Sequence, residues 1–327
     1  MVRTHPSGAL PARVPAGRGR CDAGPLGAGP GPQAGALRRR AWSPVVVGLV
    51  LSACVEAPPP APSSPPLRKL ASPAWPMVDR ESRDDLLFEL RFRLGDDESL
   101  RFATCGPWVV ASDLPEDSLE VLLERTLRVR AAEVQQRLFE QPVTEPVAIY
   151  LFSADSYERR HRELFGRPPG TPFGYWSATH RRVVVNGSTG GGTLLHELVH
   201  VMVEDDLPHA PPWFDEGLSA LHEATTLDDM GRVRGISNWR QLQLSRLLTQ
   251  RASGLLEELV SGRLESGAHD ALARYLVFFL QERGVLADTC ARFRRQRDVD
   301  VAALLCELLG HESLDEVEID FREWVTG

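Results

Sequence analysis

The sequence predicts an α+β protein: a small mixed sheet followed by an all-helical C-terminal lobe, with a cleft between them. Two patterns predict it. Up to about residue 186, short apolar or alternating runs interleave with segments of helical period. From Thr193 to Gly327 nearly everything carries helical spacing. Composition agrees with a folded chain, since 43% of the 327 residues are hydrophobic and 25% are charged. That excludes a fibrous, wholly disordered or polytopic membrane protein.

Residues 1–36 are mostly Gly, Pro, Ala and Arg with no apolar period, so they cannot bury a core. Arg38-Arg39-Arg40 then precede the apolar run Val45–Leu51 and the small residues Ser52-Ala53 before Cys54. A basic stretch, a short apolar stretch and small residues make a secretory signal. Leu51-Ser52-Ala53-Cys54 resembles a bacterial lipobox. The resemblance implies cleavage before Cys54 and lipid on its thiol and new amino terminus. By the same resemblance, Val55 after the cysteine implies the outer membrane. The stretch before Arg38 is long for such a signal, which suggests translation starting nearer Leu37. A Pro-rich, semi-rigid spacer follows to about residue 76.

Charge is distributed unevenly. Residues 1–53 carry seven arginines against Asp22, a net of +6, which leaves −14 on the rest of a chain whose total is −8. Such an acidic remainder argues against a general nucleic-acid binder. Of the five cysteines, Cys21 precedes the cleavage point and Cys54 takes lipid, leaving Cys105, Cys290 and Cys306. Their spacing matches no zinc pattern. Cys290 and Cys306 could pair in an exported protein, or all three could be buried thiols.

Within the globular part, Leu86–Leu94 and Leu100–Ala111 alternate as strands do. Glu116–Glu140 places Leu119, Leu122, Leu123, Leu127, Val134 and Leu138 at helical spacing. Val147–Phe152 reads as a short apolar strand and Ala154–Phe165 as a charged helix. Phe173–Ala178 and Arg181–Asn186 read as strands, with either as the sheet edge. Gly190-Gly191-Gly192 then precedes a helix over Thr193–Val203.

That helix carries His196-Glu197-Leu198-Val199-His200, an H-E-x-x-H sequence. Residues at i and i+4 share one helical face, so both imidazoles can reach one ion. Glu197 lies one step round, close enough to handle a water without being a ligand. A third ligand can come from Asp206, His209, His222 or Glu216. Asp206 stands six residues after His200, where metzincin-type proteins put their third ligand, but Val203 sits midway where those proteins need a glycine. His209 and His222 fit no ligand pattern. Glu216 fits best: Pro211-Pro212 mark a helix start, which puts Glu216 near its first turn. Gly217 would let this helix approach the first closely.

The combination resembles the gluzincin metallopeptidases, the thermolysin-like and peptidase MA-like clan. Trp213, Glu216, Gly217 and Ala220 match the clan's W-x-x-E-G-x-A-type segment, and the similarity covers roughly residues 105–325. It implies Zn²⁺ held by His196, His200 and Glu216, with Glu197 as the general base that activates the zinc-bound water. It also implies an extended peptide or protein substrate lying along an edge strand, in an active-site cleft between the lobes. Asp215, Ser219 and Glu223 are candidates to hold the outer histidine nitrogens. One departure stands out. The clan's oxyanion-stabilising Tyr falls at or beside Asp270, which leaves His269 as the nearest substitute and Tyr275 as core. The lack of that Tyr supports an alternative, a catalytically weak or inactive lipoprotein of the same fold that acts in binding or envelope assembly. No exopeptidase segment precedes the zinc-site helix, which favours endopeptidase action.

These readings divide the chain into a leader and signal (1–53), a tether (54–81), an α+β lobe ending in the H-E-x-x-H helix (82–203) and a helical lobe carrying the third ligand (204–327).

Overall fold

The computed structural model describes Trp75 and residues 79–95, 97–263 and 268–327. Cys54, the leader and nearly all of the tether lie outside the described residues. The fold is mixed α+β, built on a five-stranded sheet.

Helix α1 (Arg80–Leu94) opens the described chain, capped by Asp79, whose carboxylate accepts from the amides of Glu81 and Ser82. The strand expected over Leu86–Leu94 is therefore a helix, and its start lies two residues inside the expected tether. Phe88, Leu90, Phe92 and Leu94 alternate along the chain, which mimics a strand. Burial follows helical spacing instead. Leu90 is buried and Leu86, Leu87 and Leu94 pack beside it, while Phe88 and Phe92 are exposed.

The single strand expected over Leu100–Ala111 is a hairpin of β1 (Arg101–Cys105) and β2 (Trp108–Ser112). Gly106 at φ +58° and Pro107 break it, because a tight turn needs the left-handed backbone that glycine adopts. The expected helix over Glu116–Glu140 forms as α2 (Glu116–Leu122), a π-helical stretch (Leu123–Ala131) and α3 (Ala132–Leu138). Then come β3 (Val147–Phe152), α4 (Ala154–Phe165), β4 (Gly174–Ser177) and β5 (Arg182–Asn186).

The sheet order is β1-β2-β3-β5-β4, with β2, β3 and β5 parallel and β1 and β4 antiparallel at the edges. Of the two candidates for the edge, the edge strand is β4, whereas β5 is interior and buries Val183, Val184 and Val185. Alternate residues serve opposite faces, as a pleated strand requires. Val109, Ala148, Tyr150, Phe152 and Val184 join α1 and α4 on one side. Trp108, Val110, Ile149, Leu151, Val183 and Val185 join the main core on the other.

Helix α5 (Gly191–Asp206) lies on that main-core side and buries Leu194, Leu195, Leu198, Val199, Val201 and Met202. The boundary expected between residues 203 and 204 falls inside this helix, and one apolar cluster holds residues from both sides of it. Helix α6 (Pro212–Leu221) follows. The expected all-helical second half contains a hairpin, β6 (Thr225–Leu227) with β7 (Val233–Gly235). The rest is helical: α7 (Arg240–Gln250), α8 (Leu255–Val260), α9 (Ala268–Glu282), α10 (Leu286–Arg295), α11 (Val301–Leu309) and α12 (Leu314–Thr326). Among the described residues, no helix is long and apolar enough to cross a membrane. Cys105, Cys290 and Cys306 are all free thiols, so Cys290 and Cys306 do not pair. Burial pushes the Cys290 thiol up to about 12.

The C-terminal end of α5 is pinned by Asp206, whose side chain is fully buried. It accepts from Arg294 Nε at 2.9 Å and Nη2 at 2.6 Å, and from the amides of Glu140 and Gln141 at 3.1 and 2.9 Å. Four donors leave the carboxylate no capacity for a metal, so Asp206 is an anchor between α5, α10 and the end of α3. Breaking a buried, fully bonded charge pair costs about 3–5 kcal/mol. Asp206→Ala should therefore lower unfolding free energy by about that amount in urea titrations while bound metal per folded chain stays unchanged. Loss of metal without loss of stability would show that Asp206 is a ligand instead.

Candidate metal centre

The two histidines stand one turn apart on α5, as their spacing requires, and their Nε2 atoms approach to 3.1 Å. Glu216 reaches them from α6, with Oε2 3.8 Å from His200 Nε2. One donor atom from each of His196, His200 and Glu216 falls within 4.8 Å of the other two. These three form a group that could hold a metal ion. The structure does not bring His209 or His222 into this group. His222 is buried, with its Nδ1 donating to Leu218 O at 2.8 Å.

The outer ring nitrogens decide how each imidazole presents itself. His200 Nδ1 donates to Asp215 Oδ1 at 2.7 Å. Because a carboxylate oxygen accepts, the proton sits on Nδ1 and His200 offers a bare Nε2 to the centre. His196 Nδ1 faces Glu223 Oε1 at 3.5 Å, long for a direct hydrogen bond. Glu223 is itself held by Arg240, which donates from Nε at 3.1 Å and Nη2 at 2.8 Å, and by Asn238 Nδ2 at 3.2 Å. Asp215 thus takes the place beside His200, whereas His196 Nδ1 is buried without a hydrogen-bond partner, with the Ser219 backbone and the Glu223 carboxylate on its side, and Ser219 Oγ is likewise buried without a partner.

Glu197 is only 6% exposed and shares a cavity of about 550 Å³ with His196, Glu216, Glu223, Arg240 and Asp270. Burial is the main reason its carboxyl rises to about 7, with the Glu216 and Glu223 charges adding to the rise. Burial likewise raises Glu216, and the nearby Asp270 charge adds to it. Burial pushes His196 well below its ordinary value, helped by the His200 and Arg240 charges. Burial would lower His200 too, but the Asp215 hydrogen bond and the surrounding carboxylates outweigh it and raise the ring.

Two glycines set the distances. A Cβ on Gly192, in the first turn of α5, would collide with the carbonyl oxygen of Glu223. A Cβ on Gly217 would come within 2.6 Å of Ala273 O and 2.8 Å of Val277 Cγ2, both on α9. The close approach expected at Gly217 therefore joins α6 to α9 and not to α5. Arg240, which the sequence reading did not single out, enters this cavity from α7. It stands 24 residues beyond Glu216 in the chain, where no local spacing could mark it.

The expected oxyanion candidate, His269, falls outside the cavity lining, with Nδ1 3.5 Å from Asp270 Oδ1, whereas Asp270 lines the cavity. Tyr275 is core, as expected, with its hydroxyl against Ser237 Oγ at 2.9 Å and accepting from Asn238 N at 3.2 Å. Edge strand β4 borders the site through Gly174 and is tied to α5 by Trp176 Nε1, which donates to Glu204 Oε2 at 2.7 Å.

An outer partner that fixes a histidine ligand contributes about 10–100-fold to metal affinity. Asp215→Ala should raise the metal dissociation constant by about that factor in a competitive chelator titration, with the fold intact by circular dichroism. An unchanged constant would remove Asp215 from its place behind His200. Compared with the models of known protein families and with curated proteins, the chain gives no match.

Proposed function

We propose that the protein is a zinc-dependent metallopeptidase, an endopeptidase of the gluzincin type, tethered by lipid on Cys54 to a bacterial outer membrane and facing the periplasm. The observation that carries the reading is the convergence of His196, His200 and Glu216, with the buried Glu197 carboxyl opening on the same cavity. The donor chemistry fits zinc. Two imidazole nitrogens, one of them held bare by its outer partner, and one carboxylate oxygen are the kind of donor set that would hold a catalytic zinc. When bound, zinc would polarise the scissile carbonyl and make a water more acidic.

The chain's own residues supply the rest. Glu197 would accept the proton of the attacking water on its carboxylate and pass it to the leaving amine. Asp215 would keep the His200 imidazole facing the centre. The free edge of β4 would hold an extended peptide by backbone hydrogen bonds, since among the described residues β4 pairs only with β5. The substrate would thus lie in an active-site cleft walled by the sheet and α5 on one side and the later helices on the other.

A second reading keeps the fold and the metal but little catalysis, with the protein acting in binding or envelope assembly. It is favoured by one observation: Asp270, an acceptor, lines the cavity where the clan has a tyrosine. The buried Glu197 weighs against it, because a pure binding module gains nothing from burying an unneeded carboxyl.

Glu197→Gln should keep stoichiometric zinc and lose hydrolysis of a mixed peptide library by about 10²–10⁴-fold, read by mass spectrometry. Cleavage at the wild-type rate would remove Glu197 from the chemistry, and zinc without cleavage by either form would favour the binding protein. Cys54→Ala should move the protein from the membrane pellet to the soluble fraction. Retention in the pellet would contradict the lipid tether.

A further inference from the structure

A second cavity, of about 470 Å³, shares a wall with the metal cavity, because Gly192 and Glu223 line both. Its lining includes the start of α5, Arg125, Thr126 and Arg130 from the π-helical stretch, and His222. Three features meet there that the metallopeptidase chemistry does not use.

The first is positive potential. Helix α5 is 16 residues long and begins at Gly190 with no side-chain cap, and its first residues Gly191 and Gly192, packed against Thr126 and the Glu223 backbone, line this cavity at the positive end of the helix dipole. The second is a pair of arginines without a counter-charge. Arg130 gives Nε to Thr225 Oγ1 and Nη1 to Arg125 O, both at 3.1 Å. Among the described residues neither Arg125 nor Arg130 has an acidic partner. Burial and the Arg125 charge pull Arg130 below its ordinary range.

The third feature is the most specific. His222 is 1% exposed, its Nδ1 is committed to Leu218 O, and its Nε2 has no partner. Burial holds this ring at about 4, so it is neutral near pH 7 and Nε2 is a bare acceptor. A buried acceptor without a donor is costly, and the ligand that relieves it must bring an O–H or N–H.

We infer that this cavity binds a phosphate group that retains a proton. The positive end of the α5 dipole, Arg125 and Arg130 neutralise the oxyanion, and its P–O–H donates to His222 Nε2. A site built around an acceptor rejects an isostere that lacks the hydrogen. Sulfate has the shape and charge of phosphate but no proton near pH 7, so it separates this site from a plain cluster of positive charge. The inference stands apart from the metal and from hydrolysis.

The test is isothermal titration of the full-length protein, stripped of metal by chelation so that no ion competes for the anion. Inorganic phosphate and glycerol 1-phosphate are the probes, and sulfate is the control. Expected are saturable one-to-one binding of phosphate, sulfate weaker by about tenfold or more, and Arg130→Gln weaker for phosphate by a similar factor. Tighter glycerol 1-phosphate would identify a phosphomonoester as the ligand, and tighter inorganic phosphate would identify the free ion. His222→Phe should abolish the preference for phosphate over sulfate. Should that buried variant fail to fold, the sulfate comparison and Arg130→Gln decide alone. The inference is overturned by the absence of saturable binding, by equal affinity for phosphate and sulfate, or by wild-type affinity in Arg130→Gln.

Discussion

The antiparallel approach of α5 and α6 is the constraint on which the rest of the molecule depends. A single helix can offer two imidazoles to one ion, because i and i+4 share a face. It cannot offer a third donor at a useful angle, so Glu216 has to arrive from another helix. Only Leu207–Pro211 separate α5 from α6, so α6 must fold straight back. The pair is fixed at both ends. Asp206 ties the far end of α5 to Arg294 and to the chain after α3. At the near end, the bare backbone of Gly192 lets Glu223 lie against the first turn of α5. Gly217 then seats α6 on α9, which carries Asp270 to the cavity.

Electrostatics follows from that packing. Glu197, Glu216, Glu223 and Asp270 open on one partly buried cavity, where Arg240 is the arginine among the lining residues. Burying several carboxylates together is unfavourable unless cations or donors compensate them. Arg240 neutralises Glu223 through two hydrogen bonds and stands 3.6 Å from Asp270. Among the described residues no arginine is hydrogen-bonded to Glu197 or Glu216, and burial raises both. A divalent cation at the histidine pair would compensate these two. The first residues of α5, Gly191 and Gly192, also line the second cavity, so one helix borders both.

What the sequence disclosed was what local chemistry encodes. His196, Glu197 and His200 are legible because a helix turns their spacing into geometry. Glu216 is legible because Pro211-Pro212 start a helix just before it. The strands Val147–Phe152 and Arg182–Asn186 are legible as apolar runs. Non-local contacts were not. Arg240 and the ranking of Asp215, Ser219 and Glu223 depend on how α6, α7 and α9 meet. Helix α1 imitates a strand because Phe88 and Phe92, both solvent-facing, fill the gaps between buried Leu90 and the partly buried Leu86 and Leu94. The hairpin at Gly106-Pro107 was missed because apolar strands continue on either side of a two-residue turn. Gly217 packs on α9 and not α5, since a glycine announces a close approach without saying to what.

The most direct test of the central claim is elemental analysis of the purified full-length protein beside Glu216→Gln. If His196, His200 and Glu216 make one centre, the wild type carries about one zinc per chain, and the variant loses most of it on dialysis while keeping its fold, because a structural zinc site needs its full set of protein ligands. A wild type without zinc, or a variant that retains it equally, would contradict the account.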